Sequence, residues 1–281
     1  METYLDCIPC LMKQALKAGR AACADETELK NILGKAGDLI KDIPLENTPV
    51  ETGALIYKIV RDTTGVYDPY SRQKDKDIKE AIELIPELEK IIADSNNRLL
   101  TAARISIAGN VIDLGVDKKF NIVDDIKKIL KQDFAVFDFE QLRKKAEKAE
   151  TILFIGDNCG ESVFDNILIK ELNKKVFYAV REVPVINDVT YEDAVKSGID
   201  QTSEIISSGV DSPGTILSKA DKSFIKIFEN ADLVISKGQG NYEGLSGVKR
   251  DVFFLLKAKC PVIAQDIGVN EDDIIIKGIN I

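Results

Sequence analysis

Histidine is missing from this sequence. Its absence excludes Ser-His-Asp and Cys-His catalysis within the chain, and it excludes histidine as a general acid or base. It also removes the commonest ligand of catalytic zinc. Any metal chemistry must therefore use carboxylate, amide or thiolate ligands, and sites built from oxygen atoms alone favour magnesium and manganese.

Several other features are absent as well. No apolar run approaches the ~18 residues of a membrane span, and the first residues lack the basic and then apolar pattern of a secretion signal. With 38 Lys and Arg against 47 Asp and Glu, the net charge is −9, so we expect neither a nucleic-acid nor a membrane partner. The odd number of cysteines, five, favours reduced thiols and a cytoplasmic location.

The most informative stretch runs from residue 151 to residue 165. Four apolar residues, 152–155, are typical of a strand buried on both faces of a parallel sheet. Gly156 permits a bend that lets Asp157 and Asn158 face one site, and a helical pattern begins at Gly160. Open α/β sheets bind small anionic ligands at such a strand end. Taken alone, the residues fit an ordinary capped strand–helix turn equally well.

The periodicity changes along the chain, from helical in the first part to alternating strands and helices in the second. This change predicts a helical region over residues 1–115, with room for two subdomains, and an α/β domain over residues 116–281. A mostly parallel sheet covered by helices on both faces is the fold class that follows. Near the end of the chain the pattern predicts a helix over 248–259 and a last strand over 261–264.

Four of the predicted strands end in a small polar cluster. The clusters are Asp157 with Asn158, Asn187 with Asp188, residues 207–212 and residues 237–241. Because the ends of parallel strands share one edge of the sheet, we expect the clusters to converge. Oxygen atoms of Asp157, Asn158 and Asp188 would hold an octahedral cation with about three positions left for water and substrate.

Residues 237–241 also suit a phosphate group. Lys237 supplies positive charge, and the backbone of Gly238 and Gly240 can approach an anion closely. A solvated loop is the simpler interpretation, whereas a dinucleotide fingerprint fails by one position because residue 243 is Glu. Pro213, after Asp211, is predicted to open a helix and to form another anion site.

Two further pairs of polar or thiol side chains lie in the helical region. Cys7 and Cys10, three residues apart, fit packing on one buried helix face, half of a metal site, or a redox pair. Asn110 and Asp113 are neighbours on a helix. That pair fits either a cap or a polar contact with the part of a substrate that lies beyond its phosphate.

Together these motifs resemble the damage-control phosphatases, also called domain of unknown function 89. The motifs are Gly156-Asp-Asn-x-Gly-Glu161, Asn187-Asp-Val189 and Lys237-Gly-x-Gly-Asn-Tyr-Glu243. Cys7-x-x-Cys10, Ala108-Gly-Asn110, Ser207-Ser-Gly209 and Lys259-Cys-Pro-Val262 are similar to the prokaryotic branch. The resemblance covers nearly the whole chain and implies N-terminal helices followed by a Rossmann-like α/β domain.

The resemblance also implies a function. It implies a phosphatase that uses a divalent metal (manganese, magnesium, cobalt or nickel) to hydrolyse small phosphorylated metabolites, such as sugar or cofactor phosphates and damaged forms of these. Asp157, Asn158 and Asp188 match the metal ligands, with Asp157, Asn158 and Lys237 as catalytic residues. The predicted substrate-binding residues are Asn110, Glu161, Ser208, Asp211, Lys237, Gly238, Gly240 and Asn241.

Two alternative functions remain at this point. A non-catalytic sensor of phosphorylated metabolites would use the same cleft and the same residues. A methyltransferase acting on protein carboxylates, attributed to a eukaryotic branch, has no supporting motif in this chain, because Glu161 lies one residue closer to the Asp-Asn pair than its counterpart there.

Overall fold

The structure is a computed structural model that describes the backbone of residues 1–111 and 122–281 and the side chains of residues 1–109 and 126–281. Within these ranges no helix is both long enough and apolar enough to cross a membrane.

Three N-terminal helices form a small bundle with its own core. They are α1 (Cys7–Ala21), α2 (Glu26–Asp42) and α3 (Pro49–Thr64). Capping boxes at Asp25 and Thr48 satisfy the free N–H groups at the starts of α2 and α3. Apolar residues at helical spacing meet inside the bundle, where Ile32 and Ile56 are fully buried.

The next two helices belong to the sheet rather than to this bundle. They are α4 (Ser71–Ala93), which continues through Pro86, and α5 (Arg98–Val111). Their apolar faces join the core on one face of the sheet, together with α8 (Cys159–Leu172). The first five helices therefore fall into two groups that pack in different cores.

The remaining helices alternate with the strands. They are α6 (Ile122–Lys131), α7 (Phe139–Lys148), α9 (Tyr191–Lys196), α10 (Lys222–Asn230), α11 (Gly238–Leu245) and α12 (Pro261–Ile267). The strands are β1 (Phe134–Phe137), β2 (Thr151–Ile155), β3 (Lys175–Val180), β4 (Glu204–Ser207), β5 (Leu233–Lys237), β6 (Val252–Lys257) and β7 (Ile274–Ile279).

The strands of the described chain form one sheet in the order β1-β7-β6-β5-β2-β3-β4, in which only the β6–β7 pair is antiparallel. Side chains that alternate along β2 enter two cores: Phe154 packs with α4, α5 and α8, and Leu153 packs with α10, α11 and α12. The predicted fold class, a mostly parallel sheet between helices, is confirmed.

Four local predictions are wrong. The predicted helix over 248–259 contains β6, and the predicted strand over 261–264 is the start of α12. Residues 252–256 form a short apolar run buried on both faces of the sheet, which suits a strand, whereas Pro261 fits the first turn of a helix. No helix opens at Pro213, and residues 183–186 form no strand. The sequence patterns also missed β1 and β7.

Candidate active site

The chain reverses its direction of travel across the sheet beside β2. From β2 it moves to β3 and β4 on one side, and it then returns to β5 and β6 on the other. Such a reversal opens a crevice at the carboxyl ends of β2 and β5, where open α/β sheets bind ligands. β2 leads into Asp157 and Asn158, and β5 leads into Gly238. Three of the four predicted clusters contribute residues to the cleft at this crevice, whereas residues 207–212 do not line it.

The predicted metal ligands lie together at this point. Asn158 and Asp188 pair in an isolated antiparallel bridge, and the N–H of Val189 donates to the carbonyl of Asp157 at 2.8 Å. Asn158 Nδ2 donates to Asp157 Oδ2 at 3.2 Å. Since the amide nitrogen makes that bond, Oδ1 is the atom of Asn158 suited to bind a cation.

Arg181, a buried residue, contacts this cluster through hydrogen bonds. Its Nε donates to Asp188 Oδ2 at 2.8 Å, and its two other nitrogens donate to Thr215 Oγ1 and Asn241 Oδ1 at 3.1 and 3.0 Å. It also lies 4.0 Å from Asp157 Oδ1. Sequence reasoning missed Arg181 because an arginine just after a strand carries no motif of its own.

Burial and neighbouring charges shift the pKa values of both acidic residues of the cluster. Burial, reinforced by the charges of Asp188 and Glu161, raises the pKa of Asp157 to about 8, against the opposing charges of Arg181 and Lys259. Burial also raises the pKa of Asp188, although Arg181 acts in the opposite direction. Two buried carboxyls thus share one guanidinium, and a divalent cation would stabilise both in their ionised form.

The oxygen donor set fits a hard, six-coordinate cation such as magnesium or manganese. Within the described side chains, no three cysteine or acidic groups are placed to hold a metal together. A cation at this crevice would therefore use the amide of Asn158 in addition to Asp157 and Asp188, and it would complete its shell with water or substrate oxygens.

Lys237 and Glu161 lie in the interior instead of on the cleft. Both side chains are fully buried and form a close ion pair. Lys237 Nζ also contacts Asp165 Oδ1 at 2.6 Å and donates to the carbonyl of Ser106 at 3.1 Å. The structure therefore surrounds this ammonium with protein acceptors, and a contact with substrate remains a prediction.

Two of the other predicted substrate-binding residues, Ser208 and Asn241, make structural contacts. Ser208 Oγ donates to the carbonyl of Val180 at 2.7 Å. Asn241 is fully buried, and its Nδ2 donates to the carbonyls of Gly156 and Lys237 at 3.0 and 2.8 Å. Gly238 opens α11 rather than a loop, and Gly240 lines the cleft whereas Asp211 does not. The side chain of Asn110, and Asp113 entirely, lie outside the described residues.

A cleft of 540 Å³ opens above the acidic cluster. Asp157, Asn158 and Asp188 line it, and its other walls come from α1, the start of α3, and the segment that joins β6 to α12. Lys259 stands exposed on that joining segment. In the sequence it was noticed only as part of the Lys-Cys-Pro-Val motif, yet it is a cation close enough to oppose the raised pKa of Asp157.

Cys7 and Cys10 also line this cleft, together with Cys260. Cys7 is buried and Cys10 is exposed, so the two do not share one buried helix face as the packing interpretation supposed. Burial raises the pKa of the Cys7 thiol, and a buried, protonated thiol is a poor nucleophile.

A mostly parallel sheet between helices, with polar side chains at its switch point, defines a class of α/β proteins whose ligand sites lie at the carboxyl ends of the strands. Within that class, the chain belongs to the family of the damage-control phosphatase ARMT1-like domain, whose sequence pattern matches residues 3–275.

The chain is similar to two archaeal proteins that are named damage-control phosphatases. PH1575 of Pyrococcus horikoshii is 33% identical over 281 residues, which cover 96% of this chain and 95% of that protein. The Archaeoglobus fulgidus protein is 29% identical over 282 residues, covering 96% and 97%. The crystal structure of PH1575, described as a DUF89 family protein, superposes with a TM-score of 0.90 over 98% of each chain.

Proposed function

We propose that this protein is a divalent-metal-dependent phosphatase that hydrolyses phosphate monoesters of small metabolites. The observation that carries the proposal is the pair of buried carboxyls, Asp157 and Asp188, that line a ligand-sized cleft. Relatives that match almost the whole chain are named damage-control phosphatases, which supports the same reaction class here.

The chemistry needs charge stabilisation on the phosphoryl oxygens and a held nucleophile. A divalent metal, when bound, supplies most of that positive charge. Asp157, Asp188 and the Asn158 amide would hold it, and Arg181 fixes Asp188 through its hydrogen bond of 2.8 Å. Lys259, an exposed cation that lines the cleft, would bind phosphate oxygens that the metal does not contact.

Two routes for the phosphoryl group are compatible with this arrangement. In one, an Asp157 oxygen attacks phosphorus, the alcohol leaves, and water then hydrolyses the acyl phosphate. In the other, water attacks directly. Acid quenching during turnover of a ³²P-labelled ester distinguishes them, because label that stays on the protein and is lost in Asp157→Asn identifies the first route.

The test of the proposal is phosphate release. Protein stripped with a chelator and reloaded with manganese, magnesium, cobalt or nickel should release phosphate from at least one monoester. Asp157→Asn should lower kcat/KM at least ~100-fold, because it weakens the site that stabilises transition-state charge. Asp75→Asn, which changes an exposed acid on α4 in the same way, should leave it unchanged. Wild-type protein that releases no phosphate with any of the four metals would refute the enzyme and favour the sensor.

The proposed metal ligands can be tested separately by metal binding, without measuring enzyme activity. Manganese binding measured by calorimetry should be lost in Asp188→Ala and retained, within about twofold, in the double variant Cys7→Ser/Cys10→Ser, because hard cations prefer oxygen ligands. Loss of manganese from the cysteine variant would show that thiolates bind the metal.

A further inference from the structure

The cleft is far larger than a phosphate group. Its 540 Å³ lies within the range of about 300–1,000 Å³ typical of sites for whole small molecules. The acidic cluster contributes only three of the residues that line it, Asp157, Asn158 and Asp188. The remaining space must therefore receive the alcohol portion of the ester, which becomes the leaving group.

The wall that faces this space is mainly apolar. It contains Leu11 of α1, Val50 of α3 and Val262 of α12, all buried, together with Pro49, Ile186 and Pro213. An apolar wall desolvates whatever lies against it and offers no replacement for the lost hydrogen bonds to water.

The glutamines on the wall already have partners. Gln14 Oε1 accepts from the Tyr57 hydroxyl at 2.8 Å, and Gln14 Nε2 donates to Cys10 Sγ at 3.3 Å. Gln239 Oε1 accepts from the N–H of Lys259 at 3.2 Å. A sugar hydroxyl placed beside Gln14 or beside Gln239 Oε1 would compete with these existing bonds.

Of the other charged groups on the cleft, Lys259 is exposed, and the ammonium of Met1 already donates to the carbonyl of Glu243 and to Ser246 Oγ at 3.2 and 3.0 Å. Asp6 and Lys13 are exposed at the rim, where water screens them. Glu243 lines the cleft but is only half-exposed. Burial raises the pKa of its carboxyl to about 8, so that this group is mostly uncharged at pH 7.

The backbone at Ile186 gives independent support. Ile186 has a φ of +48°, which is a genuine outlier for a β-branched residue. Strained backbone of this kind persists where the surrounding structure enforces it, and it clusters at ligand sites. Here the strained turn places an apolar side chain on the cleft two residues before Asp188, where asparagine or glycine would fit the backbone better.

We infer that the cleft selects phosphate esters whose alcohol portion is a largely apolar ring or chain, and that it discriminates against polyhydroxylated sugar phosphates. The inference rests on the proposed phosphatase function and narrows its substrate class. Its physical basis is the penalty for burying several hydroxyl groups without partners, which the apolar ester does not incur.

Two esters test this directly: cyclohexylmethyl phosphate and glucose 6-phosphate, which share a six-membered ring with an exocyclic CH2–O–phosphate and differ in the ring oxygen and the hydroxyl groups. We expect kcat/KM to be at least ~30-fold higher for the cyclohexyl ester, since mismatched polar groups in a pocket typically change selectivity by one to two orders of magnitude. Equal values, or a preference for the sugar phosphate, would overturn the inference while leaving the phosphatase intact.

Binding separates failure of the inference from failure of the phosphatase. The non-hydrolysable phosphonate analogues of both esters can be measured by calorimetry with the manganese-loaded protein. Tighter binding of the cyclohexyl phosphonate in a protein that shows no turnover would sustain the apolar site and refute the phosphatase. Tighter or equal binding of the sugar phosphonate would overturn the inference whatever the activity.

The wall can be tested at Ile186 with two substitutions of nearly the same shape. Ile186→Leu keeps the wall apolar, whereas Ile186→Asn adds an amide of similar size and also tolerates a positive φ. We expect Asn to reduce the preference for the cyclohexyl ester at least ~5-fold and Leu to keep it within about twofold, because only Asn supplies hydrogen-bond partners for hydroxyl groups. Thermal melts check that both variants fold. An Asn variant that melts normally and keeps the full preference would show that this wall does not select the substrate.

Discussion

Asp157 shows how much a single residue's position in the sequence can reveal and how much it cannot. Its place after a buried strand and a glycine predicted a ligand role, and the structure puts it beside Asn158 and Asp188. The partner that neutralises the cluster, Arg181, could not be predicted, since its three contacts come from segments separated by 7 to 60 residues in sequence.

The raised pKa of Asp157 predicts a pH dependence. Its pKa is about 8 in the folded protein and about 4 in an unfolded chain. Folding therefore favours the protonated form, so the stabilisation is complete below pH ~4 and is lost as the pH rises towards 8. We expect the melting temperature of metal-free protein to fall over this window, and to fall less in Asp157→Asn, which cannot ionise there.

Bound metal should reduce the fall in melting temperature as the pH rises. Because the ionised carboxylate binds the cation, manganese affinity measured by calorimetry should rise between pH 5 and pH 8, the window in which Asp157 loses its proton. Affinity that is flat or falls with pH would contradict a metal ligand role for Asp157.

Lys237 was predicted to bind phosphate, and its surroundings suggest a test. Removing its charge in Lys237→Met leaves Glu161 and Asp165 buried without their cation, which should cost about 3–5 kcal/mol of unfolding free energy. Lys58→Met, which breaks an exposed pair with Asp62, should cost less than about 1 kcal/mol. Urea unfolding measures both. A Lys237→Met protein of normal stability but weaker phosphate affinity would restore the role expected from the sequence.

At the level of elements, the sequence predicted helices and strands correctly where the hydrophobic periodicity agreed with the glycine or proline that marks an element's end. β2, Gly156 and α8 were predicted nearly as observed, because an apolar run, a glycine and a helical repeat follow in order. The stretch from 248 to 264 failed because a short apolar run fits a helix or a buried strand equally well. Pairing with a neighbouring strand decides between helix and strand. The partner here, β7, pairs with β6 and cannot be recognised from the residues of β6 alone.

The junction of β5 and α11 depends on one glycine. Gly238 has a φ of +76°, and a Cβ placed there would lie 1.9 Å from Asp157 Oδ2. Gly238→Ala must therefore displace the Asp157 carboxylate, and we expect a loss of metal affinity of at least ~10-fold, as for other changes around metal ligands. Gly247→Ala, whose added Cβ would meet nothing within 4 Å, is the matched control. Unchanged manganese binding in Gly238→Ala would show that Asp157 does not hold the metal as inferred.

At the scale of the whole molecule, the boundary near residue 115 stays a prediction, and the described helices before it join two different cores. The bundle of α1, α2 and α3 has a core of its own, whereas α4 and α5 bury their apolar faces in the core on the sheet. Helical periodicity alone cannot show which core a helix joins. The cleft lies where the bundle meets the strand ends, so one unit supplies the acidic cluster and both supply the walls.

This arrangement predicts that two truncations behave differently. A fragment of residues 116–281 exposes the apolar face of α8 that α4 and α5 cover, so it should aggregate or remain unfolded.

A fragment of residues 65–281 keeps the cores on both faces of the sheet, so it should fold with reduced stability and still bind manganese at Asp157 and Asp188. It should also lose selectivity between apolar and sugar phosphonates, because Leu11, Pro49 and Val50 are gone. Circular dichroism and calorimetry measure these properties, and a stably folded 116–281 fragment would show that α4 and α5 are not part of the sheet's core.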